Sequence, residues 1–405
     1  MNVRRSAAVL AATVVIGMAT PAVAASPSPS PSVAIPSGLY GTSDPTYDGV
    51  WRQSLALIAQ VKSGVLPATN AVGWLLGQQC QTGAFAAFRA EPAKACDAKV
   101  MVDTNSTAVA AQALAEADGG GLMDDALAAV KWLKTVQNKD GGWGYMPGGP
   151  SDANSTSLVI GALNAVGQDP ETVDNGGKSP YDALRELALP CDDGGAFAYQ
   201  PDKKGKLAAN ADATAAAVLG MKGMSMASAK AAADTDLSCA DTTELDPDQA
   251  AANGASYLAE TMKKDGYLKS ALAGAEDQPD YGNTADAVVA LAVTGGPKAA
   301  QKPLTWLEQN SADWAKQNGP AAYAQLILAA DAAGANPRDF GGTDLVTQLN
   351  STGPEPQQRA TGAEPADEKK DEDGGVSVWW IIGVGLVGGI GIGFLISARN
   401  KGQQP

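Results

Sequence analysis

Histidine is wholly absent from this chain. That removes the commonest metal ligand and the one side chain that titrates unaided near neutral pH. Aromatic residues make up only 5% of the sequence, leaving few rings to line a cavity. Basic residues are in deficit, 29 Lys and Arg against 44 Asp and Glu, for a formal net charge of -15. A nucleic-acid partner would need a basic face, so the balance argues against one. Cysteine is limited to Cys80, Cys96, Cys191 and Cys239, in no zinc-knuckle spacing.

Long apolar runs are confined to the two ends. At the N-terminus, Arg4 and Arg5 precede a short apolar stretch, Ala7 to Ala19, and Ala22-Val23-Ala24 suits cleavage. This reads as a secretory signal peptide over residues 1–25. At the other end Val376 to Ile396 is strongly apolar and uncharged, with Trp379 and Trp380 at its outer edge and Arg399 and Lys401 just beyond. A single transmembrane helix is expected over 376–398, with residues 399–405 as a cytoplasmic tail. The expected location is the cell membrane, type I, with the bulk of the chain extracellular. Gly385, Gly389 and Gly393 form overlapping GxxxG motifs that suit helix pairing. No Leu-Pro-x-Thr-Gly sorting signal precedes the span. In an oxidising compartment the four cysteines can pair in three ways. Cys80–Cys96 and Cys191–Cys239 are expected, because each would staple a loop between neighbouring helices.

Residues 26–39 are a Ser/Pro-rich spacer, and 351–375 a polar, acidic linker expected to stay unfolded. Between them, residues 40–350 are repetitive. Trp74-Leu75, Trp132-Leu133 and Trp306-Leu307 close similar amphipathic segments. Gln79, Gly83 and Phe85 are matched by Gln137, Gly141 and Trp143, and partly by Gly195 and Phe197. The Gly permits a positive φ after a helix, the aromatic can wedge between hairpins, and the Gln can bond the turn backbone. A second pattern opens the next helix, with a polar residue four before Thr: Asp103…Thr107, Asp152…Thr156, Asn210…Thr214 and Asp280…Thr284. Two further copies, near Asp48 and Asn318, lack the Thr. Outer helices are expected near Ala68–Gln79, Met123–Gln137, Pro180–Leu189, Asp246–Lys263, Lys302–Trp314 and Asp344–Leu349. Asp234 to Asp246 reads as a loop insertion in the fourth unit. A lone hairpin cannot bury its apolar faces, but stacked copies can. The expected fold is all-α, an (α/α)6 toroid of six helical hairpins.

The stretch Gln137 to Trp143 matches the QW motif of squalene and hopene cyclases. The hairpin resembles the prenyltransferase/squalene-oxidase repeat of the α/α toroid superfamily, over most of residues 40–350. That resemblance implies the toroid, but the superfamily's catalytic sets are missing. Protein prenyltransferases hold zinc with Asp, Cys and His, and there is no His here. Class II cyclases use Asp-x-Asp-Asp, whereas the nearest runs, Asp124-Asp125 and Asp192-Asp193, lack the preceding Asp. The thioester Cys-Gly-Glu-Gln is absent too. The six-hairpin repeat also resembles the non-catalytic toroid of the intrinsic factor and transcobalamin group, and that resemblance implies a cobalamin-like ligand by analogy.

Six parallel inner helices would gather their N-termini at one mouth, with free N–H groups and partial positive charge. Asp103, Asn105, Asp152, Asn154, Asn210, Asp212, Asp280 and Asn283 would ring it. These types also favour N-caps, but as a ring they suit ligand binding. The expected function is a tethered module that captures a small-molecule ligand or partner outside the cell and could feed a transporter. No catalytic residue, metal or cofactor is assigned. The alternative is an enzyme of terpenoid chemistry, or a glycan-active one with Asp103 and Asp152 as acid and base. Paired aspartates of raised pKa in a deep pocket would favour that alternative.

Overall fold

The computed structural model describes residues 35–117, 121–242, 244–271 and 277–358. The signal peptide, most of the spacer, the end of the linker, the expected span and the tail lie outside the described residues. Residues 1–358 form one unit and 359–405 another; the first is described here.

Among the described residues the helices are α1 (Gly49–Lys62), α2 (Thr69–Gln78), α3 (Thr104–Ala117), α4 (Met123–Thr135), α5 (Ala153–Ala165), α6 (Pro180–Arg185), α7 (Ala211–Met221), α8 (Pro247–Met262), α9 (Tyr281–Asn310), α10 (Ala312–Asn318), α11 (Pro320–Ala332) and α12 (Leu345–Asn350). Helix α1 packs on α3, α3 on α5, α5 on α7, α7 on α9, α9 on α11, and α11 back on α1. The inner helices therefore close a ring. Helices α2, α4, α6, α8 and α12 pack outside it, each against the inner helix it adjoins in sequence. The result is a helix-rich, toroid-like fold.

Small side chains make the inner ring possible. Ala108, Ala110, Ala111 and Ala113 of α3 are fully buried, so its neighbours approach closely on both sides. Gly161 of α5 faces Gln112 of α3 so tightly that a Cβ would sit 2.9 Å from its Nε2.

The repeated motif ties each turn to the helices around it. Thr107 Oγ1 accepts from the Phe85 N–H (2.9 Å) and donates to the Asp103 carbonyl (2.7 Å). Thr156 accepts from the Trp143 N–H (3.1 Å), and Thr214 from the Phe197 N–H (2.9 Å). In the fifth unit Leu268 takes the aromatic's place and donates to Thr284 (3.0 Å). The motif glutamines join their turn to the next outer segment. Gln137 Nε2 donates to Gly141 O and Val173 O, and Gln79 Nε2 to Gly83 O and Asp125 O. Gly141, at φ 88°, would place a Cβ 2.1 Å from Ser179 O, so both conformation and contact require glycine there. Phe85 and Phe197 are fully buried, and Trp143 is 1% exposed with Nε1–H donating to Leu133 O (2.7 Å). Disulfides join Cys80 to Cys96 and Cys191 to Cys239.

Three segments depart from expectation. Helix α6 ends at Arg185 rather than Leu189, because Leu189 N–H bonds Ala196 O in the turn and Pro190 follows. The fifth inner and outer helices run on as α9, broken only at Gly296 (φ 79°, ψ -178°). The outer half thus begins at Pro297 instead of Lys302, where Asp234 Oδ1 accepts from the Lys298 N–H (2.9 Å) as a cap supplied from a distant loop. Trp314, expected in that outer helix, belongs to the separate α10. Finally, residues 351–357, expected in the unfolded linker, lie on the ring. Tyr40 Oη donates to Pro354 O (3.1 Å), and Gln357 pairs with Leu66 and Pro67.

Candidate functional site

The ring encloses a chamber of about 190 Å³. Every inner helix contributes to it: Trp51 and Leu55 from α1, Asn105 and Gln112 from α3, Asn154, Ser157, Leu158 and Gly161 from α5, Asp212, Ala216 and Leu219 from α7, Asp286 and Val289 from α9, Gln325 and Leu328 from α11. In α5 and α7 the lining positions include those two, six and nine residues after the N-cap. Asp152 leads to Asn154, Leu158 and Gly161, and Asn210 to Asp212, Ala216 and Leu219. That is one face of an α-helix.

The insertion expected at Asp234 to Asp246 begins earlier, at the end of α7, and crosses the C-terminal ends of the inner helices. Ser225 N–H donates to Asn164 Oδ1 on α5, Met226 N–H to Gln112 Oε1 on α3, and Lys62 Nζ on α1 reaches Ala229 O. Ala232 and Thr235 N–H groups then bond Ala292 O and Gly295 O on α9. The segment is pinned at its far end by the Cys191–Cys239 disulfide. Met224 and Met226 thereby floor the chamber. The N-terminal end carries the polar lining: Asn105, Asn154, Asp212, Asp286 and Gln325.

The eight residues expected at the mouth separate into two sets. Asn105, Asn154 and Asp212 line the chamber. Asp103, Asp152, Asn210 and Asp280 are N-caps, their side chains accepting from the N–H groups of Ser106, Ser155, Ala213 and Asn283. Asn283 donates its side-chain amide back to Asp280. None of these five lines the chamber. The helix ends are also less bare than expected, because the next turn supplies a carbonyl to the start of an inner helix. Ala87 O accepts from Val50, Tyr145 O from Thr104, and Tyr199 O from Ala153. With the caps, these bonds consume donors that an anion would need.

Sequence reasoning missed Asp286, Gln325, Gln112, Ser157 and the methionine floor. It also missed four exposed side chains near inner-helix starts: Tyr47 and Met101 just precede α1 and α3, while Tyr145 and Tyr199 lie in turns whose carbonyls bond the starts of α3 and α5. Tyr199 hydrogen-bonds Asp152, whose charge raises the phenol's pKa further after burial.

The chamber is electrostatically one-sided. Burial, then the charge of Asp212, push the Asp286 carboxyl up to about 7, although Gln325 Nε2 donates to it at 3.4 Å. Burial also raises Asp212, opposed by the amide of Asn154, which donates at 2.7 Å, and supported by the charge of Asp280. Asp103 and Asp152 are raised by burial despite the N–H bonds they accept. No Lys or Arg lines the chamber. Among the described residues, no group of three or more His, Cys, Asp or Glu could hold a metal ion. None of the described helices is long and apolar enough to cross a membrane.

Fold and chamber together define a closed ring of helical hairpins with one plugged end and one polar mouth. No protein-family model and no curated protein matches the chain. Among solved structures it is similar to a sugar epimerase from a ruminal bacterium, at 14% identity and TM-score 0.48, covering 74% of this chain and 93% of that one. It is also similar to the type II terpene cyclase MstE from Scytonema, at 13% identity and TM-score 0.32, covering 69% and 97%. A protein from Actinoplanes gives 15% identity and TM-score 0.33, covering 69% and 99%. The ring is defined by its own helix contacts, independently of these likenesses.

Proposed function

We propose that this chain is an exported, membrane-anchored ring that captures a small ligand through the mouth at the inner-helix N-termini. One observation carries the reading: the inner helices converge polar side chains on a chamber that residues 222–240 close from the other end. A concave, partly apolar site with a few convergent polar groups is the usual form of a ligand pocket. At 190 Å³ the chamber is smaller than the roughly 300–1,000 Å³ of drug-sized sites, so it suits a small molecule or one end of a larger one rather than an enclosed corrinoid. Export and anchoring rest on the apolar ends of the sequence alone; on this reading the ring would lie outside the cell and hand its ligand to a transporter.

The test is calorimetry of the full-length chain in detergent against small polar compounds, repeated on Ala216→Leu, whose longer side chain fills the chamber. A compound bound by the wild type and refused by the folded variant supports the reading. Equal binding by both contradicts it. Topology is tested separately: a cysteine placed at Gln403 should resist impermeant labels on intact cells, and labelling from outside would overturn the anchoring.

A second reading is favoured by Asp286. A half-buried carboxyl pushed up to about 7, on a chamber wall shared with a second carboxyl, is poised to give or take a proton at neutral pH. On that reading the ring is an enzyme of terpenoid or glycan chemistry. It requires chemical turnover of the captured compound, abolished in Asp286→Asn while binding persists.

A further inference from the structure

Resting on the binding reading above, the polar half of the chamber also indicates the class of ligand. Its two charged groups, Asp212 and Asp286, are acceptors when ionised. Asn154 Nδ2 donates to Asp212 Oδ2, which fixes the amide's orientation and leaves Asn154 Oδ1 buried without a partner. Asn105 Oδ1 on the adjoining wall is buried without a partner too. Ser157, 7% exposed and on the chamber wall, has an Oγ that meets no partner. Gln325 turns its amide N–H toward Asp286. Two carboxylates therefore take up the side-chain amides of Asn154 and Gln325, and no Lys or Arg lines the chamber to neutralise them. Charges removed from bulk water are normally paired, so positive charge is what the chamber lacks. The opposite end, with Leu219, Met224 and Met226, is mainly apolar, and Gln112 there is engaged by the Met226 N–H and the Leu158 carbonyl.

We propose that the chamber binds a small organic ammonium: a protonated amine held by Asp212 and Asp286, with a compact apolar body against the methionine floor. An ammonium brings a positive charge and three donors, which suits two carboxylates with no lining cation. Its charge relieves the repulsion between the two carboxylates and forms the stronger, charge-assisted kind of hydrogen bond. Size follows from the volume. A cavity of roughly 150 Å³ holds benzene, so 190 Å³ accommodates a ring plus one short substituent. The groups that bear on Asp286 are Asp212 on α7, Asp280 at the start of its own helix and Gln325 on α11. None is a cation, so no internal charge competes with the ligand's.

Three probes of nearly one shape separate the possibilities: benzylamine, benzyl alcohol and benzoate. Each is titrated calorimetrically at pH 8 into the full-length chain in detergent. The blank is Ala216→Leu, which subtracts partition into the micelle. Far-UV circular dichroism and a thermal melt establish that each variant is folded. We expect one benzylamine per chain, bound at least about tenfold more tightly than either analogue. That preference should vanish in the double variant Asp212→Asn, Asp286→Asn. Tighter or equal binding of benzyl alcohol or benzoate, still blocked by Ala216→Leu, overturns the ammonium assignment and leaves the binding module standing. Binding that survives Ala216→Leu, or no binding of any probe to the folded wild type, overturns both.

Discussion

Replacing Asp286 by Asn should make the protein more stable at pH 8 and change it little at pH 4.5. In the unfolded chain this carboxyl ionises near its ordinary value of 3.8, but in the ring it ionises only at about 7. The folded state therefore holds the proton more tightly. Stability from that proton is fully present below about pH 4, declines as the unfolded chain ionises, and is lost once pH passes about 7. At about 1.4 kcal/mol per pH unit, the interval sets a ceiling of about 4 kcal/mol. Asp286 keeps part of its surface open to the chamber, and water there screens the charge, so about 2 kcal/mol is the working expectation. Asn is nearly isosteric, keeps a contact with Gln325 and cannot ionise, so it removes the penalty without opening a cavity. It also relieves Asp212, whose own pKa burial has raised. The assay is urea denaturation of wild type and variant by circular dichroism, at pH 4.5, 6 and 8. The variant should gain on the wild type steadily across that range. A stability difference that stays constant from pH 4.5 to 8 would refute the raised pKa and the crowding of the two carboxylates that underlies it.

Trp143→Ala should cost about 3–5 kcal/mol, the range for deleting a buried large aromatic; a melt like the wild type's would show that the indole does not hold the second and third hairpins together. Gly141→Ala should destabilise by more than the usual penalty for a positive φ, because Ser179 O occupies the place of the new methyl. Thermal melting checks it, and a neutral outcome would contradict the tight turn. Removing the disulfide with Cys191→Ser, Cys239→Ser opens a 48-residue separation, for which chain entropy predicts about 4 kcal/mol. Protease nicking between residues 222 and 240 should appear in that variant first, and nicking elsewhere would speak against the pinned floor.

The ring was legible because its hairpin motif repeats physical necessities. Gly141 must take a positive φ under Ser179, Gln137 must bridge two segments, and Thr156 must anchor the Trp143 backbone. Those demands recur, in whole or in part, at the turns before α3, α5, α7 and α9, so the sequence repeats with them. The disulfides were legible for a similar reason, since both partners flank one turn or one insertion. The chamber was harder to read. Polar residues at helix starts look alike whether they cap or face a ligand, and Asp152 and Asn154 differ only in the direction set by one and two further steps along the helix. Asp152 turns back to the Ser155 N–H, while Asn154 turns inward to Asp212. Aligning the inner helices on their caps would have exposed the stripe, including Asp286 six residues after Asp280. Nothing local announced the floor. Met224 and Met226 reach the chamber only because the insertion crosses the ring, a path set by bonds to Asn164, Gln112 and Lys62 far away in sequence.

The claim that the ring is a receptor for a small molecule is tested most directly by native mass spectrometry of the chain purified from the cells that make it. The wild type should carry one additional small mass per chain, and folded Ala216→Leu prepared in the same way should carry none. A mass retained equally by both proteins, or a wild-type chain that comes bare through conditions preserving its disulfide-linked fold, would contradict the account.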